Sequence, residues 1–321
     1  MRYFLLFVWI SHAWAAGSYH HPFSSEGLQE IWEVQDSEPF DQLLLTWNGK
    51  RPSSGRYSFF ISVRQSNQWS PWLYYAEWGS CGQIMFSDNP KTSLALTHEG
   101  RLTVKKGTCD AFRILIEASG GARLDTLRHL FAALLSRPLL VAPESTAPLS
   151  SVQLTSFPRQ SQITLRHPRS SDMSLPVCMA LTARYLEVNV SPLDIAAKVI
   201  DDDTGFYENW SFNIAEVSSY FPERTLRLIY LSDFAALHSY LRQSLPVIVP
   251  ISGWMRGGFR SYRMEHAICV IGYDAEEEKV LCIDPGFPSD KATFVSYDLA
   301  DFLKSWGKHY NKAIVIAALP Q

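Results

Sequence analysis

The chain carries little charge and has no basic run. Of 321 residues 19% are charged and the net charge is -3, so there is no electrostatic footprint for nucleic acid and no basic run to mark a membrane surface. Also missing are a Cys-x-x-Cys pair, a His-Glu-x-x-His helix and a phosphate-cradling glycine loop, which removes the commonest metal and nucleotide signatures. The histidines outside the hairpin discussed below show no ligand spacing, and neither a metal nor another cofactor is expected. Beyond the first residues, no stretch is apolar enough to span a bilayer. Cysteine is scarce and odd in number, at five.

What is present starts with Met1-Arg2-Tyr3-Phe4-Leu5-Leu6-Phe7-Val8-Trp9-Ile10, one positive charge and then an apolar run, followed by Ala13-Trp14-Ala15 as a small-x-small cleavage site. This reads as a secretory signal peptide over residues 1–16, too short for a membrane span, and it predicts a secreted or periplasmic protein. The remaining length suggests two domains, and a composition 46% hydrophobic and 13% aromatic suits packed cores. In an exported chain, local pairing of Cys81 with Cys109 and of Cys269 with Cys282 leaves Cys178 as a free thiol. The alternative is five reduced, buried small hydrophobes.

Residues 25–140 carry short strand-like runs, among them Leu43-Leu44-Leu45-Thr46-Trp47, Tyr57 to Val63, Leu102-Thr103-Val104 and Phe112 to Ile116. Turn signals such as Asn48-Gly49 and Glu99-Gly100 separate them, a pattern that predicts an all-β sandwich-like domain. Leu124 to Leu135 closes it, as a helix or a further strand. The aromatic cluster from Trp69 to Trp78 suits a ligand platform or, more commonly, packing. A Pro/Ser-rich linker over 141–156 follows. In residues 157–321 helices are expected over Leu175 to Val188, Ser191 to Val199 and Asp233 to Gln243. Strands are expected at Leu226 to Tyr230, Pro246 to Ile251, Thr293 to Tyr297 and Ala313 to Ala317, with a short helix from Leu299 to Trp306. Helices come before an antiparallel sheet, an α+β layout.

Two apolar runs, Met264 to Asp274 and Val280 to Gly286, are joined by a charged turn and read as a β-hairpin. Antiparallel pairing brings His266 and Asp284 to one end of it, an imidazole beside a carboxylate that orients it. A nucleophile at a helix N-terminus would complete such a site.

With these segments in view, the chain resembles the C39-like peptidase family, whose catalytic domain has a papain-like fold. Phe157-Pro158-Arg159-Gln160-Ser161-Gln162 is similar to the family's entry segment. Tyr207-Glu208-Asn209-Trp210-Ser211-Phe212-Asn213 is similar to its Tyr-Gly-Asn-Trp-Pro-Phe-Asn block, and Gly253-Trp254, His266 and Asp284-Pro285 to its His and Asp region. The N-terminal half resembles the β-rich domain that precedes the peptidase domain in exported bacterial members. The resemblance implies thiol peptidase or amidase chemistry on a peptide or protein substrate. His266 is then the base, Asp284 its orienting partner and Gln162, with Gln160 as a nearby alternative, the oxyanion-hole glutamine.

The family's Trp-Cys-Ser-Pro-Thr pattern is matched by Met173-Ser174-Leu175-Pro176-Val177, so Ser174 occupies the nucleophile position. Cys178 serves instead only if the helix register differs. Four residues of helix separate the two by ~6 Å, and Ser174, Cys178, Leu181 and Tyr185 form one stripe that favours a core role for Cys178. The expected function is therefore either a hydrolase with a weakened nucleophile or a pseudopeptidase that binds a peptide or envelope component. Glycan binding led by the aromatic cluster is a further reading.

Overall fold

The computed structural model describes residues 17–23, 27–91, 93–137 and 148–319. The signal peptide at 1–16 and the first part of the linker, 141–147, lie outside the described residues.

Two antiparallel sheets form the N-terminal lobe. One runs in the order Ser18–Pro22, Leu127–Leu135, Gln42–Gly49, Arg101–Val104, Ala95–His98; the other in the order Gln29–Val34, Ala111–Ser119, Arg56–Gln65, Leu73–Gly79, Gln83–Met85. Along Arg56–Gln65, Tyr57, Phe59, Ile61 and Val63 are fully buried, which is the period-2 face that a sandwich core needs. Trp47 of the first sheet stacks on Phe59 of the second, centroids 4.3 Å apart. The segment from Leu124 to Leu135 is a 3-10 turn over Leu124–Thr126 and then a strand. Pairing on both edges decided that ambiguity in favour of the strand.

Among the described residues the C-terminal lobe packs five α-helices, α1 (Ser174–Tyr185), α2 (Pro192–Val199), α3 (Trp210–Ser218), α4 (Phe234–Arg242) and α5 (Leu299–Gly307), with a third antiparallel sheet. Its order is Arg224–Tyr230, Lys312–Ala318, Val247–Gly253, Tyr262–Asp274, Lys279–Ile283, Phe294–Asp298, with Val152–Gln153 on the flank of Tyr262–Asp274. Side-chain caps start four of the helices: Ser191, Asn209, Asp233 and Asp298 each accept from an N–H of the first turn, as their short polar side chains favour. The residue before α1, Met173, offers no such cap.

The two lobes share one continuous apolar core. Helix α3 joins them: Phe212 meets Trp47 edge-on at 6.0 Å, and Ser211 donates to Leu45 O at 2.7 Å. Asn48, fully buried, exchanges two hydrogen bonds with the Leu226 backbone, at 2.7 and 2.9 Å.

Of the two readings of the cysteines, the structure carries the reduced one: all five are free, four of them buried and Cys81 exposed. Cys269 lies opposite Ile283 and Cys282 opposite Val270. Their side chains therefore leave the pleat on opposite faces.

Candidate active site

The hairpin forms as expected, from Tyr262–Asp274 and Lys279–Ile283, and brings His266 to Asp284 with Nε2 2.7 Å from Oδ1. Asp284 is fully buried, and four groups surround its carboxylate. Tyr262 donates to both oxygens at 2.9 Å, Tyr297 to Oδ2 at 2.6 Å, and the Gly286 N–H to Oδ1 at 2.8 Å. Burial alone would raise its pKa, but the His266 charge and hydrogen bond together with the other donors outweigh that, and the carboxyl lies below its ordinary value. Burial and the Asp284 charge push both tyrosine hydroxyls well above theirs. The result is a dyad whose carboxylate is fixed on every side.

Ser174 is the first residue of α1 and 1% exposed. Its hydroxyl donates to Glu208 Oε1 and accepts from the Ala267 N–H at 3.0 Å. Its own backbone N–H gives to the same Glu208 oxygen at 2.8 Å. No hydrogen bond joins Ser174 to His266 among the described residues. Glu208 thus caps α1 from a distant loop. Burial raises its pKa, and the Ser174 bonds and the nearby His266 charge offset part of that rise.

Gln162 is fully buried in the loop against Pro285 O, to which its N–H donates at 2.9 Å. Its side-chain amide turns to Ser171 O at 2.5 Å, and its Oε1 has no partner. Gln160 takes a different course, accepting from Arg184 at 2.7 Å. Cys178 lies in the core, where its thiol donates to Ala267 O at 3.3 Å. Burial, then the bond to and charge of Cys269, hold that thiol well above the ordinary range. The structure thus gathers His266, Asp284, Ser174 and Gln162 in one place and leaves Cys178 one turn deeper.

Three residues of this site were not expected from the sequence. Glu208 stands where the family block has glycine, so the departure was visible in the letters. Tyr262 and Tyr297 gave no signal, because nothing local marks a tyrosine as a carboxylate's partner. Among the described residues, no group of three or more His, Cys, Asp or Glu could hold a metal ion.

Elsewhere, the aromatic cluster is largely committed to its own packing. Trp69 and Trp72 clamp the Arg113 guanidinium at 4.5 and 4.6 Å, and Phe60, Tyr74 and Phe86 stack in a row. A cavity of about 610 Å³ opens between the lobes, beside Arg51, Gln83, Lys198 and Glu216, and none of the residues lining it belongs to the His266 site.

The model of the Peptidase_C39 like family matches residues 154–314, half of the chain, and the chain belongs to that family. Two solved structures are similar to it. One is assigned to the C39-like peptidases, from Bacillus anthracis, with 15% identity and a TM-score of 0.42 over 54% of this chain and 100% of that one. The other is the peptidase domain of Streptococcus ComA, a bifunctional ABC transporter of a quorum-sensing pathway, with 17% identity and a TM-score of 0.36 over 51% of this chain and 99% of that one. No curated protein matches.

Proposed function

We propose that this protein is an exported C39-like pseudopeptidase, which holds a peptide in a papain-like cleft without cleaving it. The observation that carries the reading is the Ser174 hydroxyl, which donates its hydrogen bond to Glu208 and, among the described residues, makes none to His266. A thiol in that position would ionise near neutral pH beside an imidazole, whereas a serine must lose its proton during attack. Here the acceptor next to it is a carboxylate outside the His266–Asp284 dyad. Cys178 does not replace it, because burial suppresses its thiolate.

Binding is supported by exposed apolar residues close in sequence to the site. Ile163, Phe206 and Met264 are 42%, 51% and 75% exposed and lie one or two positions from Gln162, Glu208 and His266. Large apolar side chains left open beside a buried polar site suit a ligand that brings bulky apolar residues of its own.

A second reading, weak hydrolysis by Ser174, is favoured by the intact dyad. Incubating the mature protein with a library of fluorogenic and immobilised peptides separates the two. We expect retention of peptides rich in apolar residues and no turnover. Turnover that disappears in His266→Ala would overturn the pseudopeptidase reading.

A further inference from the structure

We infer that Glu208 is a built-in occupant of the position that would otherwise receive the substrate's oxyanion. This site is therefore silenced twice, once by the missing thiol and once by a carboxylate lodged at the head of α1. The inference rests on the pseudopeptidase reading and specifies what replacing Ser174 alone can and cannot restore.

Attack on a peptide carbonyl places negative charge on its oxygen, and the site must offer N–H donors already aimed at it. Two groups could serve as such donors, the Ser174 N–H and the Gln162 amide, and each already gives a hydrogen bond elsewhere. The Ser174 N–H gives to Glu208 Oε1 at 2.8 Å, and the Gln162 amide gives to Ser171 O at 2.5 Å. The start of α1 favours negative charge and lacks a capping side chain of its own. Glu208 supplies the charge and the cap together, so no second anion is needed there and one would be repelled.

The carboxylate has little freedom to move aside. Glu208 lies between Tyr207 and Asn209, and both of their carbonyls are held at 2.8 Å by the buried Asn213 side chain one turn into α3. Asn209 in turn caps α3 by accepting from the Phe212 N–H at 3.1 Å, and Phe212 packs on Trp47 of the other lobe. The loop that carries the carboxylate is thus fixed by the joint between the lobes. A glycine at 208, as in the family's block, would leave both the Ser174 N–H and the space before it open.

A thiol placed at 174 would inherit the hydrogen bond to Glu208. A thiolate beside that carboxylate is disfavoured by like charge, so the proton stays on sulfur and His266 remains unused. Removing the carboxylate lets the proton pass from sulfur to the His266 imidazole, giving a thiolate and an imidazolium.

The test follows iodoacetamide alkylation at position 174 in S174C, S174C/E208Q, S174C/E208G and S174C/E208G/H266A, resolved from the native cysteines by peptide mass spectrometry. At pH about 6, below the ordinary thiol pKa of about 8.5, S174C should label slowly. Both double variants should label at least about tenfold faster, the change one pKa unit brings, and the triple variant should lose that gain. E208Q keeps the shape and removes only the charge, which guards against a glycine variant that does not fold. Equal rates in S174C and the folded double variants, whether fast or slow, overturn the inference, as does a gain that survives H266A. Hydrolysis by the unaltered protein would instead overturn the pseudopeptidase reading, and the labelling rates would stand apart from it.

Discussion

The Tyr262 ring lies flat on the His266 imidazole, centroids 3.8 Å apart and planes 6° from parallel. Four residues of regular strand would hold them ~13 Å apart. The pairing shows how they meet: Ile251 faces His266 and Gly253 faces Tyr262, so four steps on one strand oppose two on its neighbour, and the extra length folds in as an irregularity. Gly286 completes the arrangement, because a Cβ there would run into the Tyr262 hydroxyl. The base is thus gripped on one ring face and at one nitrogen by groups that all converge on Asp284.

That convergence makes Asp284 a stability determinant as well as a site residue. Tyr297→Phe removes one donor to a fully buried carboxylate and should cost about 2 kcal/mol in chemical denaturation. Asp284→Asn should cost more, on the order of 3 kcal/mol, by taking from Tyr262, Tyr297, His266 and the Gly286 N–H the buried carboxylate they share. The folded pKa lies below the ordinary 3.8, so this stabilisation is present above about pH 4 and is lost as pH falls through the folded value. The gap between the wild type and Asp284→Asn should therefore narrow in acid, which urea midpoints measured from pH 7 down to about 3 would reveal.

Behind His266, on the preceding residue, Glu265 binds Lys312 through both oxygens at 2.8 Å and also receives His309 at 3.1 Å and the Trp210 indole N–H at 3.1 Å. Burial lowers the Lys312 pKa although Glu265 resists. Burial likewise opposes the charged Glu265, but Lys312 and His309 outweigh it and hold that carboxyl well below its ordinary value. Glu265→Gln strands a buried ammonium. With the carboxylate side chain 34% exposed, the expected loss is about 2 kcal/mol, under the 3–5 of a fully buried pair. A Glu265→Gln/Lys312→Met double variant should recover part of it, and a double-mutant cycle in urea checks this.

The N-terminal lobe should respond to acid through a different pair. His20 and His129 join strands Ser18–Pro22 and Leu127–Leu135 at 3.0 Å. Burial, His20 and Arg128 push His129 down to about 4, and burial with Arg227 and His21 lowers His20. Because the unfolded chain takes up these protons near pH 6.5 and the folded one takes them up only at lower pH, at about 4 for His129, stability falls as pH drops below 6.5. Melting followed from pH 7 to 4 should show the decline in the wild type and a smaller one in His129→Gln.

Much of this architecture was legible because it rests on local chemistry. Pro176 and Pro192 in first turns and the period-2 runs in Tyr57 to Val63 each announce an element from its own residues. Helix α3 was not read as a helix, since its Asn, Ser and Trp fit a loop as well; its buried face is set by Trp47 and Leu45, more than 160 positions earlier. The site divides in the same way. His266 and Asp284 could be placed by the hairpin alone. The partners of Asp284 and the direction of the Ser174 hydroxyl depend on a strand irregularity and on a loop held from across the molecule.

The joint that fixes that loop also predicts how the protein unfolds. Asn48 gives and receives one hydrogen bond each with the Leu226 backbone, in a place with no solvent. Asn48→Ala leaves a buried N–H and a buried carbonyl without partners, a loss of about 2–4 kcal/mol at 1–2 for each group. Because Trp47, Phe59, Phe212 and Leu226 belong to one continuous core, the damage cannot be confined to either lobe. The wild type should unfold in a single transition, with tryptophan fluorescence and far-ultraviolet circular dichroism coinciding, and Asn48→Ala should shift that transition without splitting it. Two separated transitions in the variant would mean that the lobes are stable apart, and that the position of Glu208 is set within the C-terminal lobe alone.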